Sequence, residues 1–527
     1  MTPLPDKNQR SLLETLKNSN NADSEQSITK RVLKGLFWTS AGTGAEFVLH
    51  AGALLLLARL ISPEEFGVVG AAMVVINFSV IFSELGIGSA LVQCPRLDEK
   101  HLRTGFTISL LFGLLLTLLV LLLSPVIAAF FQMPKLKTIL MVLSIVFFLQ
   151  GMSIVAESLL KRDMDFRKLT AVEVSSFALG YGITGVVMAF LGYGVWALVG
   201  ATLIQALVKS TLLIVIKGHR KRLLLDKKTL NELLTFGSGL TMARIFLYFA
   251  NQGDNLVTGR WLGAESLGIY GRAYQMMVMP ASLFGKIVDK VLFPALAKVQ
   301  DSPQRLAKAF KQGMAITGLI VLPSSAVMFI LAPEIISVVL GPAWQKVVVP
   351  FQILAVGMFF RTGYKVTGTL ARAKGAVYNI AWRNGLYGVM VLAGSWLALP
   401  YGLSGVATAV VVALTIYFFL MTTLSLRITK LGWLTLIKAQ IPAFNSMVIM
   451  VFSTWAIVSL LRDNNFSAIA ILSIIAAVIF LHLIIFYRYF PLVFIGKDGV
   501  WLVSVIVDSI SDFKLSRSKK NKQIHTE

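Results

Sequence analysis

Thiol chemistry is almost absent from this chain: Cys94 is the one cysteine in 527 residues. No internal disulfide can form, and Cys94, next to Pro95, has no paired thiol or histidine at metal-ligand spacing. Charge is also scarce. Asp, Glu, Lys and Arg make up 14% of the sequence, against 56% hydrophobic residues. A water-soluble domain could not hide that much apolar surface in one core, so the solvent for most of the chain is lipid. Enzyme signatures are missing as well. There is no G-x-x-x-x-G-K-[ST] loop to cradle a nucleotide's phosphates, which excludes ATP hydrolysis by this chain. No G-x-S-x-G elbow occurs, and the longest outer loop, around 333–346, is too short for a catalytic domain. The expectation is a protein that is not an enzyme and uses neither cofactor nor metal.

What the chain has in abundance is long apolar runs. Fourteen stretches reach the roughly twenty residues that cross a bilayer as helix. They are 36–60, 66–92, 104–131, 138–160, 169–190, 194–216, 234–259, 272–292, 310–332, 347–370, 376–399, 404–426, 441–461 and 466–487. The eighth is the weakest, because it carries Pro280, Lys286, Asp289, Lys290 and Pro294, and its cytoplasmic half is expected to be kinked and wet. Lys and Arg number 49 against 26 Asp and Glu, a net charge of +23. With a cytoplasmic N-terminus, most of these cations fall in cytoplasmic segments. Seven fall on the other side: Arg59, Lys135, Lys137, Arg260, Arg272, Lys346 and Arg462. A missed or extra helix would invert every later loop, so the asymmetry supports an even number of spans with both termini inside. Scattered over separate segments, the cations form no basic face for nucleic acid. Residues 1–30 read as a disordered cytoplasmic tail and not a cleaved signal peptide, since they lack an apolar core. The tail after Tyr487 ends in a basic run, Lys514 to Lys522, suited to anionic lipid headgroups.

The chain also repeats itself. A-R-L-I-S-P-E-E-F-G-V-V-G at 58–70 is echoed by G-R-W-L-G-A-E-S-L-G-I-Y-G at 259–271. Arg59, Glu64, Gly67 and Gly70 stand 201 positions before Arg260, Glu265, Gly268 and Gly271. L-G-Y-G from Leu191 recurs 208 positions later as L-P-Y-G from Leu399. Two echoes in one order at nearly one spacing mark a duplicated half of about two hundred residues, as in two-lobed transporters. Each half holds six spans. Six is even, so both enter the membrane in the same direction, and a parallel pseudo-two-fold repeat is expected. The expected fold class is all-α integral membrane, with 14 transmembrane helices. An N-lobe covers 31–217, a cytoplasmic linker 218–232, a C-lobe 233–427, and an appended hairpin of spans 13 and 14 covers 428–488. A basic cytoplasmic tail, 489–527, completes it. The repeated glycines read first as sites of close helix approach.

Charges inside spans carry the functional signal. One at mid-bilayer costs about 2.5–3.5 kcal/mol on insertion scales, so such residues are expected to face a wet cavity. Span 1 puts Thr39, Thr43, Glu46 and His50 on one stripe, and span 7 does the same with Arg244, Tyr248, Asn251 and Asn255. Equivalent helices thus show equivalent polar faces, which predicts a hydrophilic cleft between the lobes. Span 10 adds Arg361 and Lys365, and span 11 adds Arg383 and Tyr387. Arg244, Arg361, Lys365 and Arg383, with Tyr248 and Asn251, are the candidate substrate-binding residues. Guanidinium forks match phosphate oxygens, so the substrate they suit is an anionic headgroup such as a diphosphate or acidic sugars. The competing account is internal pairing, for example of Glu46 with Arg244. Glu46, Asp254 and His50 are the candidate ion-coupling residues for H+ or Na+. Glu157, beside Lys161, reads as a rim salt bridge, and His482 as a helix-packing residue.

The stretch from L-A-R-L-I-S-P-E-E-F-G to S-E-L-G-I-G-S-A-L-V-Q (57–93) resembles the Wzx-type polysaccharide flippases of the MOP exporter superfamily. So do L-L-K-R-D-M-D-F-R-K-L (159–169), V-L-F-P-A-L-A-K-V-Q-D (291–301) and L-G-P-A-W (340–344). The likeness is nearest to the branch of colanic-acid and teichuronic-acid exporters and covers nearly the whole chain beyond the N-terminal tail. It implies two six-helix lobes, two peripheral helices and alternating access. It implies that an undecaprenyl-diphosphate-linked oligosaccharide crosses from the cytoplasmic to the periplasmic leaflet of a bacterial inner membrane. Lipopolysaccharide, capsule or exopolysaccharide production and its assembly proteins would be the setting. A role for cationic cavity residues is also implied, which placement alone assigns to Arg244, Arg361, Lys365 and Arg383. Two rivals stay open. One is a cation-coupled multidrug exporter of the same superfamily, for which an acidic cavity would suit better. The other is a membrane glycosyltransferase or polymerase, which would need a large outer loop.

Overall fold

The structure, a computed structural model, describes residues 55–84, 87–94, 97–218, 223–298 and 302–500, with single positions between 44 and 53. Side chains are described there except at 83–84, 233–244, 283–295 and 297–298. The described residues form helices joined by short turns, with no strand among them. Nine of these helices are long and apolar enough to cross a membrane. A tenth span results if Pro342–Val356 and Met358–Ala373, bent by 42°, are taken together. The chain is a multi-pass membrane protein. Three further helices, Lys227–Trp261, Gly263–Lys298 and Val377–Leu397, have 35, 36 and 21 residues. At 1.5 Å per residue each is long enough to cross a hydrocarbon core about 30 Å thick, the first two with turns to spare. They lack the apolarity of the other nine because they carry more polar and charged residues, among them the stripe of Lys227–Trp261 and the Arg383 and Tyr387 pair of Val377–Leu397. The weak eighth stretch lies inside the unbroken Gly263–Lys298 helix.

Local chemistry starts these helices where the sequence changes. Pro63 opens Pro63–Glu84, where a missing N–H costs nothing, and Glu64 and Glu65 favour its positive end. Ser62 and Glu65 close a capping box: the Glu65 amide donates to Ser62 Oγ at 3.3 Å, and the Ser62 amide donates to Glu65 Oε2 at 3.1 Å. The second echo has a conformational cause. Gly194 (φ 52°, ψ −123°) precedes Val195–Ile216, and Gly402 (φ 61°, ψ −150°) begins Gly402–Thr429. Both adopt backbone that a side chain resists, and a helix follows each of them directly.

Outward faces are built for lipid. Along Glu99–Phe131, Leu111, Leu114, Leu115, Leu118, Leu119 and Leu122 are all exposed, and steps of three and four put them on one stripe. In water such a stripe would drive aggregation. In hydrocarbon it is the solvated face.

The helices form two compact units. One comprises Val75–Ala129 and Pro134–Arg244, and the other Ser62–Val74, Phe130–Met133 and the chain from Ile245 on. In the first, Gly113 and Gly151 let Glu99–Phe131 and Ile145–Arg162 touch. A Cβ at Gly113 would sit 2.6 Å from the Phe147 carbonyl oxygen, and one at Gly151 2.5 Å from that of Ser109. Glu157 is held by Lys161 at 2.7 Å and Lys209 at 3.3 Å, a rim ion pair as the sequence suggests. The segment before Lys227–Trp261 is tied down by the Leu224 and Asp226 amides, which donate to Thr107 and Thr104 Oγ1. Asp226 caps that helix, and donation from the Thr229 hydroxyl and amide holds its carboxyl below the usual carboxylate range.

In the second unit, Phe310, Met314, Val366, Leu370, Phe418 and Leu436 form one apolar core. Glu334, buried, accepts two bonds from the Arg462 guanidinium at 2.7 and 2.9 Å. His482 Nδ1 lies 2.9 Å from the Val478 carbonyl oxygen, and its ring packs on Phe486, as expected of a packing residue. The first echo has its explanation in this unit. A Cβ on Gly67 would fall 1.7 Å from the Ala264 carbonyl oxygen, and one on Gly268 would fall 1.9 Å from that of Pro63. Position 63 stands to 67 as 264 stands to 268, so the two repeated motifs clasp each other through equivalent atoms.

Candidate functional site

The second unit gathers its polar side chains where Lys227–Trp261, Gly263–Lys298, Met358–Ala373 and Val377–Leu397 meet. Arg361 occupies the first turn after the bend at Gly357, and only 5% of its surface is exposed. One guanidinium nitrogen, Nη2, donates to Asn251 Oδ1 at 3.1 Å. The cation lies 5.2 Å from the Tyr274 ring centre, a cation–π distance. Its Nε and Nη1 are buried and have no hydrogen-bond partner among the described residues. Buried guanidinium N–H groups are normally satisfied, and each one left over costs on the order of 1–3 kcal/mol.

Tyrosines wall this site. Tyr387 stacks on Tyr417 at 4.5 Å, and Tyr364 meets Tyr417 edge-on at 5.0 Å. Tyr270 and Tyr274, one turn apart on the same helix, are both buried. The Tyr387 hydroxyl is buried without a hydrogen-bond partner among the described residues, whereas Tyr417 donates to Asn384 Oδ1 at 2.5 Å. Asp254 is 1% exposed. Its Oδ2 accepts from the Tyr270 hydroxyl at 2.7 Å, and its Oδ1 accepts from the Asn255 amide at 2.8 Å. Asp254 and Arg361 act on each other electrostatically, yet no ion pair within 4 Å joins them. The site therefore combines a cation with free donor capacity, a buried carboxylate and a ring of hydroxyls.

Of the sequence-predicted residues, the structure brings Arg361, Asn251 and Asp254 together. Lys365, one turn beyond Arg361, donates to the Ala281 carbonyl at 3.0 Å. Tyr248 donates to the Val74 carbonyl. Arg383 is engaged elsewhere. It donates to the Leu420 and Asn379 carbonyls at 3.2 and 2.6 Å and covers the Trp382 ring at 4.4 Å. Glu46 and His50 lie outside the described residues, as does the side chain of Arg244. Tyr270, Tyr274, Tyr364, Tyr417 and Asn384 were not singled out by sequence reasoning. The i, i+4 spacing of Tyr270 and Tyr274, at the end of the repeated motif and just beyond it, is the signal that could have found the first two.

Comparison with known proteins places this geometry. The model of the polysaccharide biosynthesis protein family matches residues 56–349, more than half of the chain. The chain is 26% identical to the lipopolysaccharide biosynthesis protein WzxC of Escherichia coli over 67% of its own length and 72% of the relative's. It is 26% identical to the teichuronic acid biosynthesis protein TuaB of Bacillus subtilis over 70% and 77%. Among solved structures, the lipid II flippase MurJ in an inward closed conformation superposes with a TM-score of 0.71 at 18% identity. That match covers 86% of this chain and 99% of MurJ. An inward-facing MATE family transporter of the MOP superfamily gives 0.61 at 16% identity, over 74% and 95%. The fold is shared with these two solved structures, and the chain belongs to the polysaccharide biosynthesis protein family.

Proposed function

We propose that this protein is a flippase that moves an undecaprenyl-diphosphate-linked oligosaccharide from the cytoplasmic to the periplasmic leaflet of a bacterial inner membrane. Buried Arg361, two of whose guanidinium nitrogens have no hydrogen-bond partner among the described residues, is the observation that carries this reading. A cation stranded inside a span is costly, and an anion that arrives and leaves is what it can serve. A diphosphate presents paired oxygens to the guanidinium fork, while tyrosine rings and hydroxyls suit a sugar chain. Arg244, Lys365, Arg383, Tyr248 and Asn251 would extend this surface, with Arg361 and Asn251 at its centre. The lipid tail would remain in hydrocarbon, against faces such as the leucine stripe.

In this reading the chain has fourteen spans. Nine apolar helices, the bent pair, the three less apolar helices and the 36–60 stretch supply them. Lobes at 31–217 and 233–427 would be related by a pseudo-two-fold axis, and the mutual clasp of Gly67 and Gly268 supports that symmetry. Linker 218–232, hairpin 428–488 and both tails would complete the plan, with both termini cytoplasmic. Asp254, with Glu46 and His50, would couple transport to H+ or Na+. An Asp254→Asn variant should then flatten the pH dependence of transport, and an unchanged profile would remove Asp254 from that role.

Deletion followed by analysis of lipid-linked oligosaccharide on each leaflet tests the function. Accumulation on the cytoplasmic side with ordinary drug sensitivity is the expected result. Normal leaflet distribution with drug hypersensitivity would favour a multidrug exporter instead.

A further inference from the structure

A second polar site lies away from Arg361, in a cavity of about 390 Å³ between Pro303–Ile330, Trp433–Asp463 and the turn after Pro491–Phe494. Three lysines from distant parts of the sequence converge on it: Lys311, Lys438 and Lys497. Asp498 pairs with Lys311 at 3.6 Å, so the lining keeps a positive excess. Lys438 and Lys497 have no ion-pair partner among the described residues, and both are exposed. Below them the wall is apolar, formed by Leu319, Ala443, Leu492 and Ile495.

This wall is held in place. Ser446 Oγ donates to the Phe494 carbonyl at 2.6 Å and Asn445 Nδ2 to that of Val493 at 3.3 Å. Phe494 stacks on Phe486 at 4.3 Å. Gly496, at φ 72°, turns the chain where a Cβ would meet Pro442 Cγ at 2.8 Å, and so presents Lys497 at the rim. The excess of Lys and Arg puts this end of both helices on the cytoplasmic side, where Trp433 has the aromatic character of an interfacial anchor. A fixed cavity with a cationic rim and an apolar floor at the water–hydrocarbon boundary matches one chemistry, a phosphate group carried on acyl chains.

We propose that this cavity binds the phosphate headgroup of an anionic membrane phospholipid, whose acyl chains lie along Leu319, Leu492 and Ile495. The proposal concerns a resident lipid and stands apart from the transported substrate and from Arg361. The test uses the purified full-length protein in neutral detergent, titrated with phosphatidylglycerol, phosphatidylcholine or inorganic phosphate, with bound lipid read by native mass spectrometry. Phosphatidylglycerol should bind more tightly than phosphatidylcholine, and Lys438→Gln with Lys497→Gln should weaken it roughly tenfold or more. Lys430→Gln, a surface change outside the cavity, should leave the affinity unchanged. The melting temperature without lipid should match the wild type in both variants, because each substituted side chain is exposed. Equal binding of the two lipids, or phosphatidylglycerol binding indifferent to the double variant, would overturn the proposal. Binding of inorganic phosphate with the same lysine dependence would overturn the lipid as its source.

Discussion

Valine at Gly67 or Gly268 should lower the melting temperature by several degrees and abolish export. A Cβ at either position would fall within 2 Å of a carbonyl oxygen, 1.7 Å at Gly67 and 1.9 Å at Gly268. The obstructing atoms are helix backbone, which cannot swing aside like the end of a side chain. The two helices must separate, and overpacking of this kind costs about 1–3 kcal/mol or more. Nearby contacts loosen with them. Phe66 meets Trp344 at 5.4 Å, and Arg272 lies 4.2 Å from the Phe66 ring centre. Because the contact is reciprocal, one separation relieves both clashes. The double variant should therefore cost clearly less than the sum of the single ones, a non-additivity that a cycle of melts would measure. Wild-type melting and export in either single variant would contradict the clasp.

The second large effect is expected at Arg361. Arg361→Gln should remove export while the protein still accumulates in the membrane, and affinity for a lipid diphosphate should fall by about 2–5 kcal/mol. Stability should fall less than affinity: Nη2 loses its bond to Asn251 and the cation leaves the Tyr274 ring, while Nε and Nη1 have no hydrogen bond among the described residues to lose. Arg361→Lys should be intermediate, because an ammonium keeps the charge and loses the fork. Arg383→Gln gives the contrast: its bonds to the Leu420 and Asn379 carbonyls predict lost stability and a smaller effect on affinity. If the two variants behaved alike in binding and melting, the distinction between a free and an engaged guanidinium would fail.

The two arginines also mark how far sequence reaches. Both look the same as letters, a cation inside an apolar run. What separates them is which carbonyls the neighbouring helices leave open, a property of packing at 37 residues' remove for the Arg383–Leu420 contact. The spans themselves are legible because lipid selects long apolar runs. Lys227–Trp261 and Gly263–Lys298 fall below the apolarity of the rest; the 4, 3, 4 spacing of Arg244, Tyr248, Asn251 and Asn255 reveals the first, while the second reads only as the weakest apolar stretch. Start signals such as S-P-E-E at 62–65 are readable since capping is local. Of the tyrosine wall only Tyr387 was singled out, because a tyrosine counts as apolar until its hydroxyl is seen beside a partner such as Asp254 or Asn384. Likewise the repeat at Gly67 and Gly268 is visible as letters, while its cause, each motif packing against the other, requires the fold.

Reconstitution tests the central claim most directly. Proteoliposomes holding the purified protein and an undecaprenyl-diphosphate oligosaccharide would be assayed for lipid reaching the opposite leaflet. The account predicts rapid transfer with the wild type and transfer near the protein-free rate with Arg361→Gln. Equal transfer by both proteins would contradict it.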